Sequence, residues 1–248
     1  MEHFFEYGQK ETDWLKNRDK KLSAVIEQVG PIYRKIIPDL FAALVHSIVG
    51  QQISTKAQET VWQRFRQTCQ DLSPHGILSM EDEELQSIGI SFRKVNYIKR
   101  AAEKIENGEF DIDALRDMDD AEVARQLSSL DGIGLWSAEM LMLFSMQRPN
   151  ILSFDDLAIQ RGLRMVYRHR KIDRRMFERY RRRYTPYGSV ASLYLWAVAG
   201  GAIEGLTDPA TKPTNKRRKP SSTTAKGKDN RQSKNRLKQA DTSPKHGQ

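Results

Sequence analysis

The chain has 248 residues, enough for one sizeable domain or two small ones, and 38% of them are apolar. Its single cysteine, Cys69, excludes a disulfide within the chain and an iron–sulfur cluster. Five scattered histidines show no metal-ligand spacing, so no metal is expected. The sequence lacks a signal-peptide pattern and any run of about 18 apolar residues. We therefore expect no membrane contact, and a cytoplasmic location in a bacterium or a nuclear one in a eukaryote.

The net charge of +9 is unevenly distributed along the chain. Residues 212–248 contain twelve Lys/Arg and two Asp, a net charge of +10, which leaves residues 1–211 at −1. This segment has one Leu and no aromatic residue, so it cannot bury enough apolar surface to offset the entropy of folding. We predict a folded domain over 1–206 and a disordered basic tail over 207–248. A tail of this charge can add salt-sensitive affinity for a nucleic acid, although a tail without function fits the same composition.

Apolar residues recur at helical spacing through most of the folded part, without strand alternation, which predicts an all-α fold of about ten helices. Thr12 is predicted to cap one helix that runs through Val29 and stops at Gly30. Further helices are predicted to begin after the capping residues Asp39, Ser54, Ser79 and Ser91. The last five are predicted at 119–130, 136–146, 157–167, 174–184 and 189–199.

A glycine-containing turn, Leu130-Asp131-Gly132-Ile133-Gly134, lies between two predicted helices. Gly132 and Gly134 allow a tight turn with positive φ where it is needed, and Ile133 can anchor the turn in the core. The amides of the turn and of the following helix, near Ser137, can then bind a phosphate. Two glycines in a plain helix–helix turn are the alternative interpretation.

A basic stretch over 161–183 contains eleven Lys/Arg and two acidic residues. Charge alone does not decide between a solvated helical face and a phosphate-binding face.

Four separated motifs in this order resemble the helix-hairpin-helix (HhH-GPD) DNA glycosylase superfamily, over about residues 38–200. They are Ile48-Val49-Gly50-Gln51-Gln52-Ile53-Ser54, the turn at 130–138, Ser153-Phe154-Asp155-Asp156-Leu157, and Pro186-Tyr187-Gly188-Ser189 through Trp196. The last motif is similar to the alkylation-repair branch, the 3-methyladenine DNA glycosylase II group, in its compact form. The resemblance implies two helical lobes, one of about 38–150 and one of 1–37 plus 151–206, with the active-site cleft between them.

The resemblance implies that Asp156 is the catalytic carboxylate. Breaking an N-glycosidic bond develops oxocarbenium character on the sugar, which a carboxylate stabilises while it helps to place water. From the pattern alone either acid could instead cap the following helix, and Asp155 is the better candidate for that role. Trp136 occupies the position of a lysine nucleophile in the strand-cleaving branches and cannot form a Schiff base. We therefore expect a monofunctional enzyme without lyase activity.

The resemblance also implies the substrate pocket and the DNA contacts. Trp136 and Trp196 match pocket aromatics, which attract cationic alkylated purines, although a tryptophan at helical spacing is more often a core residue. Met140 replaces a further aromatic, and Tyr187 is assigned to the cleft. Gln52, beside Gln51, occupies the position of the wedge that fills the gap left by a flipped base, although a polar loop fits as well.

Arg161 is the remaining residue assigned to the DNA-binding cleft. The expected partner is double-stranded DNA, bound by a monomer without a cofactor, apart from a monovalent cation that the turn at 130–134 could bind. Two alternatives stay open: a glycosylase for deaminated or mismatched bases, and a DNA-damage-binding protein without catalysis.

Overall fold

A computed structural model describes residues 2–210, which are helical through most of their length. This confirms the predicted all-α class. The α-helices of the described residues are α1 (Gln9–Arg18), α2 (Lys20–Val29), α3 (Leu40–Gly50), α4 (Thr55–Thr68), α5 (Pro74–Leu78), α6 (Asp82–Ser87), α7 (Phe92–Glu106), α8 (Asp120–Leu127), α9 (Leu135–Phe144), α10 (Leu157–Tyr167), α11 (Arg174–Tyr184) and α12 (Gly188–Ala199). A 3₁₀ turn spans Ala114–Arg116.

Two short strands add a feature that the helical pattern did not predict. Strand β1 (His3–Phe4) pairs antiparallel with β2 (Lys35–Ile36), in a register that sets His3 opposite Ile36. A two-residue strand is too short to show an alternating pattern in the sequence. The pair fastens the start of the chain to the segment before α3.

Short polar side chains begin most of the helices. Ser54 and Ser91 accept hydrogen bonds from the amides of Ala57 and Lys94, as their predicted capping role requires. Asp39 likewise caps α3 through the amide of Ala42.

Several predicted helix boundaries are wrong. Thr12 does not cap a helix, because α1 begins at Gln9 and the Thr12 hydroxyl inside it donates to the Gly8 carbonyl oxygen. The predicted helix from Thr12 to Val29 is two helices, because Asp19 adopts an extended conformation and its carboxylate accepts hydrogen bonds from Lys21 and Leu22. The helix predicted to open at Ser79 begins at Asp82 instead, because Ser79 ends α5 and its hydroxyl bonds the Gly76 carbonyl.

The helices pack most extensively within two sets, one of α3 to α9 and one of α1, α2 and α10 to α12. The closest approach in the second set is between α10 and α12. A Cβ at Gly162 would lie 2.3 Å from the Leu195 carbonyl oxygen, so only glycine allows this crossing. The crossing brings the first residues of α10 beside the last turns of α12.

Residues 207–210, which the sequence assigned to the tail, lie against α10. Asp208 is buried and forms an ion pair with Arg164, with an Nε–Oδ1 distance of 2.9 Å. Arg168 donates to the Thr207 carbonyl oxygen. The rest of the predicted tail, 211–248, lies outside the described residues. Within the described part of the chain, no helix is both long and apolar enough to span a membrane.

Candidate active site

The carboxylate of Asp156 is fixed by three hydrogen bonds at the start of α10. It is buried and accepts from the Ile159 amide at 2.8 Å, from Trp196 Nε1 at 3.2 Å and from Trp136 Nε1 at 2.9 Å. The expectation that Asp155 would cap the helix is therefore wrong. Asp156 caps it, because it stands three residues before the amide it accepts, while Asp155 is exposed.

The three donors leave one position open on this carboxylate. Oδ1 accepts from Ile159 and Trp196, while Oδ2 accepts from Trp136 alone among the residues that the structure describes. A carboxylate oxygen has two lone pairs. Oδ2 therefore keeps one acceptor site for a water or a substrate atom.

Trp136 and Trp196 reach the carboxylate from different helices. Trp136 lies in the first turn of α9 and is 46% exposed, whereas Trp196 lies near the end of α12 and is half-buried. The ring of Phe144 stacks on Trp196 with a centroid distance of 5.4 Å and an interplanar angle of 28°. The guanidinium of Arg34 covers Phe144 at 5.2 Å from the ring centroid. This stack fixes the indole plane whose N–H holds Asp156.

Helix α9 adds two further side chains on this side of the molecule. Met140 is half-buried one turn after Trp136, at the i, i+4 spacing that puts both on one helix face. Glu139 is half-buried, and its burial raises the pKa of its carboxyl, as does the nearby charge of Asp155. The Ser153 hydroxyl and Arg181 act in the opposite direction. The sequence analysis missed Glu139, although it is the only charged residue of α9.

The turn at 130–134 has the geometry of an anion-binding hairpin. Gly132 has φ of +81°, and a Cβ there would meet the Tyr97 ring at 2.4 Å, so glycine is required. Ile133 is buried, as predicted, and anchors the turn. Gly134 precedes the first residue of α9, and no side chain caps that helix, so its first amides have no carbonyl partner inside the helix.

Ser137 lies in this first turn of α9, but its side chain is buried. A contact between Ser137 and DNA would therefore go through the backbone amide.

The Gln51–Gln52 segment lies directly against this hairpin. Gln51 Nε2 donates to the Gly132 carbonyl oxygen at 2.7 Å. Lys94 Nζ donates to the carbonyl oxygens of Val49 and Gln51 at 2.8 Å and 2.7 Å. Gln52 is exposed at the tip with φ of +59°, a strained conformation for a residue other than glycine. The structure thus brings the predicted wedge and the predicted phosphate site together.

Tyr187 and Arg161 are not brought into the Asp156 cluster. Tyr187 stands at the start of α12, nine residues and about 13 Å along the helix axis from Trp196. Its ring packs edge-on against Trp14 at 5.5 Å. Arg161 is exposed on α10, and its charge lowers the pKa of Asp208.

The described residues contain no group of three or more His, Cys, Asp or Glu side chains that could hold a metal ion. The predicted site for a monovalent cation is the backbone of the 130–134 turn. There the ligands would be carbonyl oxygens rather than side chains.

Comparison with known proteins relates both the sequence and the fold to DNA repair. The model of the HhH-GPD superfamily base excision DNA repair proteins matches residues 45–186. DNA-3-methyladenine glycosylase 1 of Schizosaccharomyces pombe is 29% identical over 164 residues, which are 64% of this chain and 72% of that protein.

Two solved structures extend this similarity to the fold. The crystal structure of DNA-3-methyladenine glycosidase from Bacillus halodurans has 34% identity and a TM-score of 0.71, and the match covers 80% of this chain and 93% of that one. The 3-methyladenine DNA glycosylase of S. pombe in complex with abasic DNA has 25% identity and a TM-score of 0.66, over 79% and 99% of the two chains.

Proposed function

Because the chain belongs to the HhH-GPD superfamily of base excision DNA repair proteins, we propose that it hydrolyses the N-glycosidic bond of alkylated purines in DNA. The substrates are bases of the 3-methyladenine and 7-methylguanine type. The names of the similar glycosylases from S. pombe and B. halodurans support this substrate class. The observation that carries the proposal is the buried carboxylate of Asp156 held between two indole N–H groups.

Asp156 acts on the deoxyribose of a nucleotide that has been flipped out of duplex DNA. Its open lone pair on Oδ2 faces the anomeric carbon, and its negative charge stabilises the oxocarbenium-like transition state. The same oxygen orients or deprotonates the attacking water. Because the three N–H donors hold the carboxylate in place before substrate arrives, little reorganisation is needed during the reaction.

Trp136, Trp196 and Met140 form the base pocket. An N3- or N7-alkylated purine is cationic, and the face of an indole attracts it by roughly 0.5–2 kcal/mol. The positive charge already makes the base a good leaving group, so a strong general acid is not needed. The fixed tilt of Trp196 on Phe144 presents one indole face to this pocket.

The hairpin and the Gln51–Gln52 segment bind the duplex around the lesion. The first amides of α9 bind one backbone phosphate, and the positive end of the helix dipole favours that charge. Gln52 enters the space that the flipped base leaves. The enzyme acts as a monomer and releases the base without cutting the strand, because Trp136 offers no amine for a Schiff base.

The test is base release from methylated duplex DNA by the full chain and by Asp156→Asn. We expect the wild type to release 3-methyladenine and 7-methylguanine, and the variant to be at least about 100-fold slower with DNA affinity largely kept. Asp155→Asn is the matched control and should remain active, because Asp155 is exposed. Asp156 also caps α10, so thermal unfolding should accompany the assay.

Each other function predicts a different result in the same experiment. If the protein released only deaminated or mismatched bases, these and not alkylated purines would be its substrates. If it bound DNA but released no base from any lesion, it would be a damage-binding protein. Borohydride trapping on abasic DNA should give no covalent adduct. Full activity of Asp156→Asn would show that another residue carries out the catalysis.

A further inference from the structure

The basic stretch over 161–183 is only partly accounted for by contacts inside the protein. Four of its arginines have protein partners within the described residues. They are Arg164 with Asp208, Arg168 with the Thr207 carbonyl, Arg181 with Glu178 and the Leu152 carbonyl, and Arg183 with Asp19. These four are structural, so a DNA contact has to come from the others.

Arg181 and Arg183 lie over aromatic rings but are also held in ion pairs. Among the basic residues of this stretch that make no ion pair or hydrogen bond in the described part of the chain, Arg174 is the one whose guanidinium lies over an aromatic ring. Its guanidinium lies 4.1 Å from the centroid of Phe154, which packs edge-on against Phe177 at 5.1 Å. The side chain is exposed, and within residues 2–210 the guanidinium makes no ion pair or hydrogen bond. A planar cation held on a rigid ring keeps its N–H donors available to a ligand and loses little rotamer entropy when one binds.

The place of this cation is set by the loop that carries Asp156. Phe154 is two residues before Asp156, and its carbonyl oxygen accepts a hydrogen bond from Gln160 of α10, which holds the loop to the helix. Arg174 also lowers the pKa of Glu139, so its charge acts on the same side of the site. A phosphate next to a deoxyribose at Asp156 would therefore meet the exposed edge of the Arg174 guanidinium.

The negative charges around Asp156 would repel the DNA backbone unless a positive group such as the Arg174 guanidinium offset them. Glu139, Asp155 and Asp156 place three carboxyl groups close to where the phosphates of a flipped nucleotide must pass. Since like charges repel, the DNA backbone needs a compensating positive group at this point. The hairpin amides lie at the start of α9, next to Trp136 in the chain.

We propose that Arg174, stacked on Phe154, binds the DNA phosphate adjacent to the flipped nucleotide and so forms a second phosphate site in addition to the hairpin. This inference rests on the proposed function, because it takes Asp156 as the point that the sugar reaches. The role is one of positioning. The guanidinium holds the backbone so that the anomeric carbon meets Oδ2, and it does not touch the reacting atoms.

The experiment measures the binding of full-length protein to a duplex containing a single tetrahydrofuran abasic analogue, over a series of salt concentrations. Arg174→Gln should weaken binding by about tenfold and reduce the slope of log Kd against log salt by about 0.9. Arg175→Gln is the matched control, because Arg175 is the next residue, is exposed and makes no contact with Phe154. It should change the affinity and the slope clearly less.

The contacted phosphate is identified by replacing one phosphate at a time with a neutral methylphosphonate. One position beside the abasic analogue should weaken binding of the wild type and have no further effect on Arg174→Gln. Equal behaviour of Arg174→Gln and Arg175→Gln, or no methylphosphonate position that depends on Arg174, would overturn the proposal. The abasic duplex needs no catalysis, so a wild type that binds it in this way but releases no base would contradict only the proposed function.

Discussion

At the scale of single residues, Gly132 and Gly134 serve the hairpin for different reasons. At Gly132 the backbone has φ of +81° and the Tyr97 ring occupies the place of a Cβ. At Gly134, apart from its chain neighbours, no heavy atom of residues 2–210 lies within 4 Å of a Cβ position, and φ of −89° suits any residue. The fold therefore requires the first glycine, whereas the second leaves room for a ligand that approaches the start of α9.

Substituting alanine for Gly132 and for Gly134 distinguishes a glycine required by the fold from one required by the ligand. We expect Gly132→Ala to lower the free energy of unfolding by about 2–3 kcal/mol, since it combines a strained φ with displacement of Tyr97. Gly134→Ala should cost about 0.5–1 kcal/mol, the usual difference between these residues at a helix N-cap, yet it should weaken DNA binding clearly. Urea unfolding and binding to a short duplex measure both quantities. A Gly134→Ala variant that binds DNA as tightly as the wild type would argue against a phosphate at this helix start.

The sequence predicted Asp156 as the candidate catalytic acid but not how its carboxylate is held. The Asp155-Asp156 pair and the two tryptophans could be named from their motifs, because those residue types carry recognisable chemistry. In the structure one carboxylate both caps α10 and accepts hydrogen bonds from two indoles. This arrangement depends on how α9, α10 and α12 pack together. Glu139 escaped notice because nothing in the sequence brings α9 next to the loop before α10.

At the scale of secondary-structure elements, Asp19 joins three helices. It is buried at the junction of α1 and α2, caps α2 through two amides at 3.0 Å, and forms an ion pair with Arg183 of α11 at 2.6 Å. Burial raises the pKa of its carboxyl, but the Leu22 amide and Arg183 outweigh it, so the pKa lies below the usual 3.8. Its stabilisation is therefore present at neutral pH and is lost as the pH falls through this lowered pKa.

Asp19→Ala should lower the free energy of unfolding by about 2–3 kcal/mol at neutral pH, because it removes both the cap and the ion pair. The difference from the wild type should shrink below about pH 4, where the carboxylate becomes protonated. Asp13→Ala is the control, since its exposed pair with Lys16 at 3.0 Å contributes only a few tenths of a kcal/mol. Equal losses for the two variants in urea unfolding would contradict the junction role.

Helix boundaries were predictable where one side chain decides them and unpredictable where packing does. The spans of α10 and α11 agree with the predicted 157–167 and 174–184, and in the structure Asp156 and Asp173 cap these helices. The break between α1 and α2 was missed, since Asp19 reads as an ordinary polar residue until Arg183 from a distant helix is placed beside it.

At the scale of the whole molecule, charge is divided between a nearly neutral folded part and a basic C-terminal segment. The described chain ends with Asp208 anchored on Arg164 of α10, the helix that begins at Asp156. The Arg164 end of this ion pair therefore lies within about three turns of α10 from Asp156.

Truncation after Ala210 should preserve the fold and weaken binding to undamaged duplex DNA. It should also flatten the dependence of log Kd on log salt, since up to twelve Lys/Arg are lost. The control is a full-length chain with these residues replaced by Gln, which keeps the length and removes the charge. Binding measured over a salt series checks the prediction. An unchanged slope for both variants would show that the tail does not contact DNA.

The pairing of Trp136 and Trp196 on one carboxylate also determines when during synthesis the site becomes complete. The ribosome produces the hairpin and Asp156 first, and the second indole donor arrives forty residues after the acid. A nascent chain that has emerged only through α10 thus carries the 130–134 turn and Asp156 without the Trp196 donor. The set of three donors around this carboxylate is complete only once α12 has been synthesised.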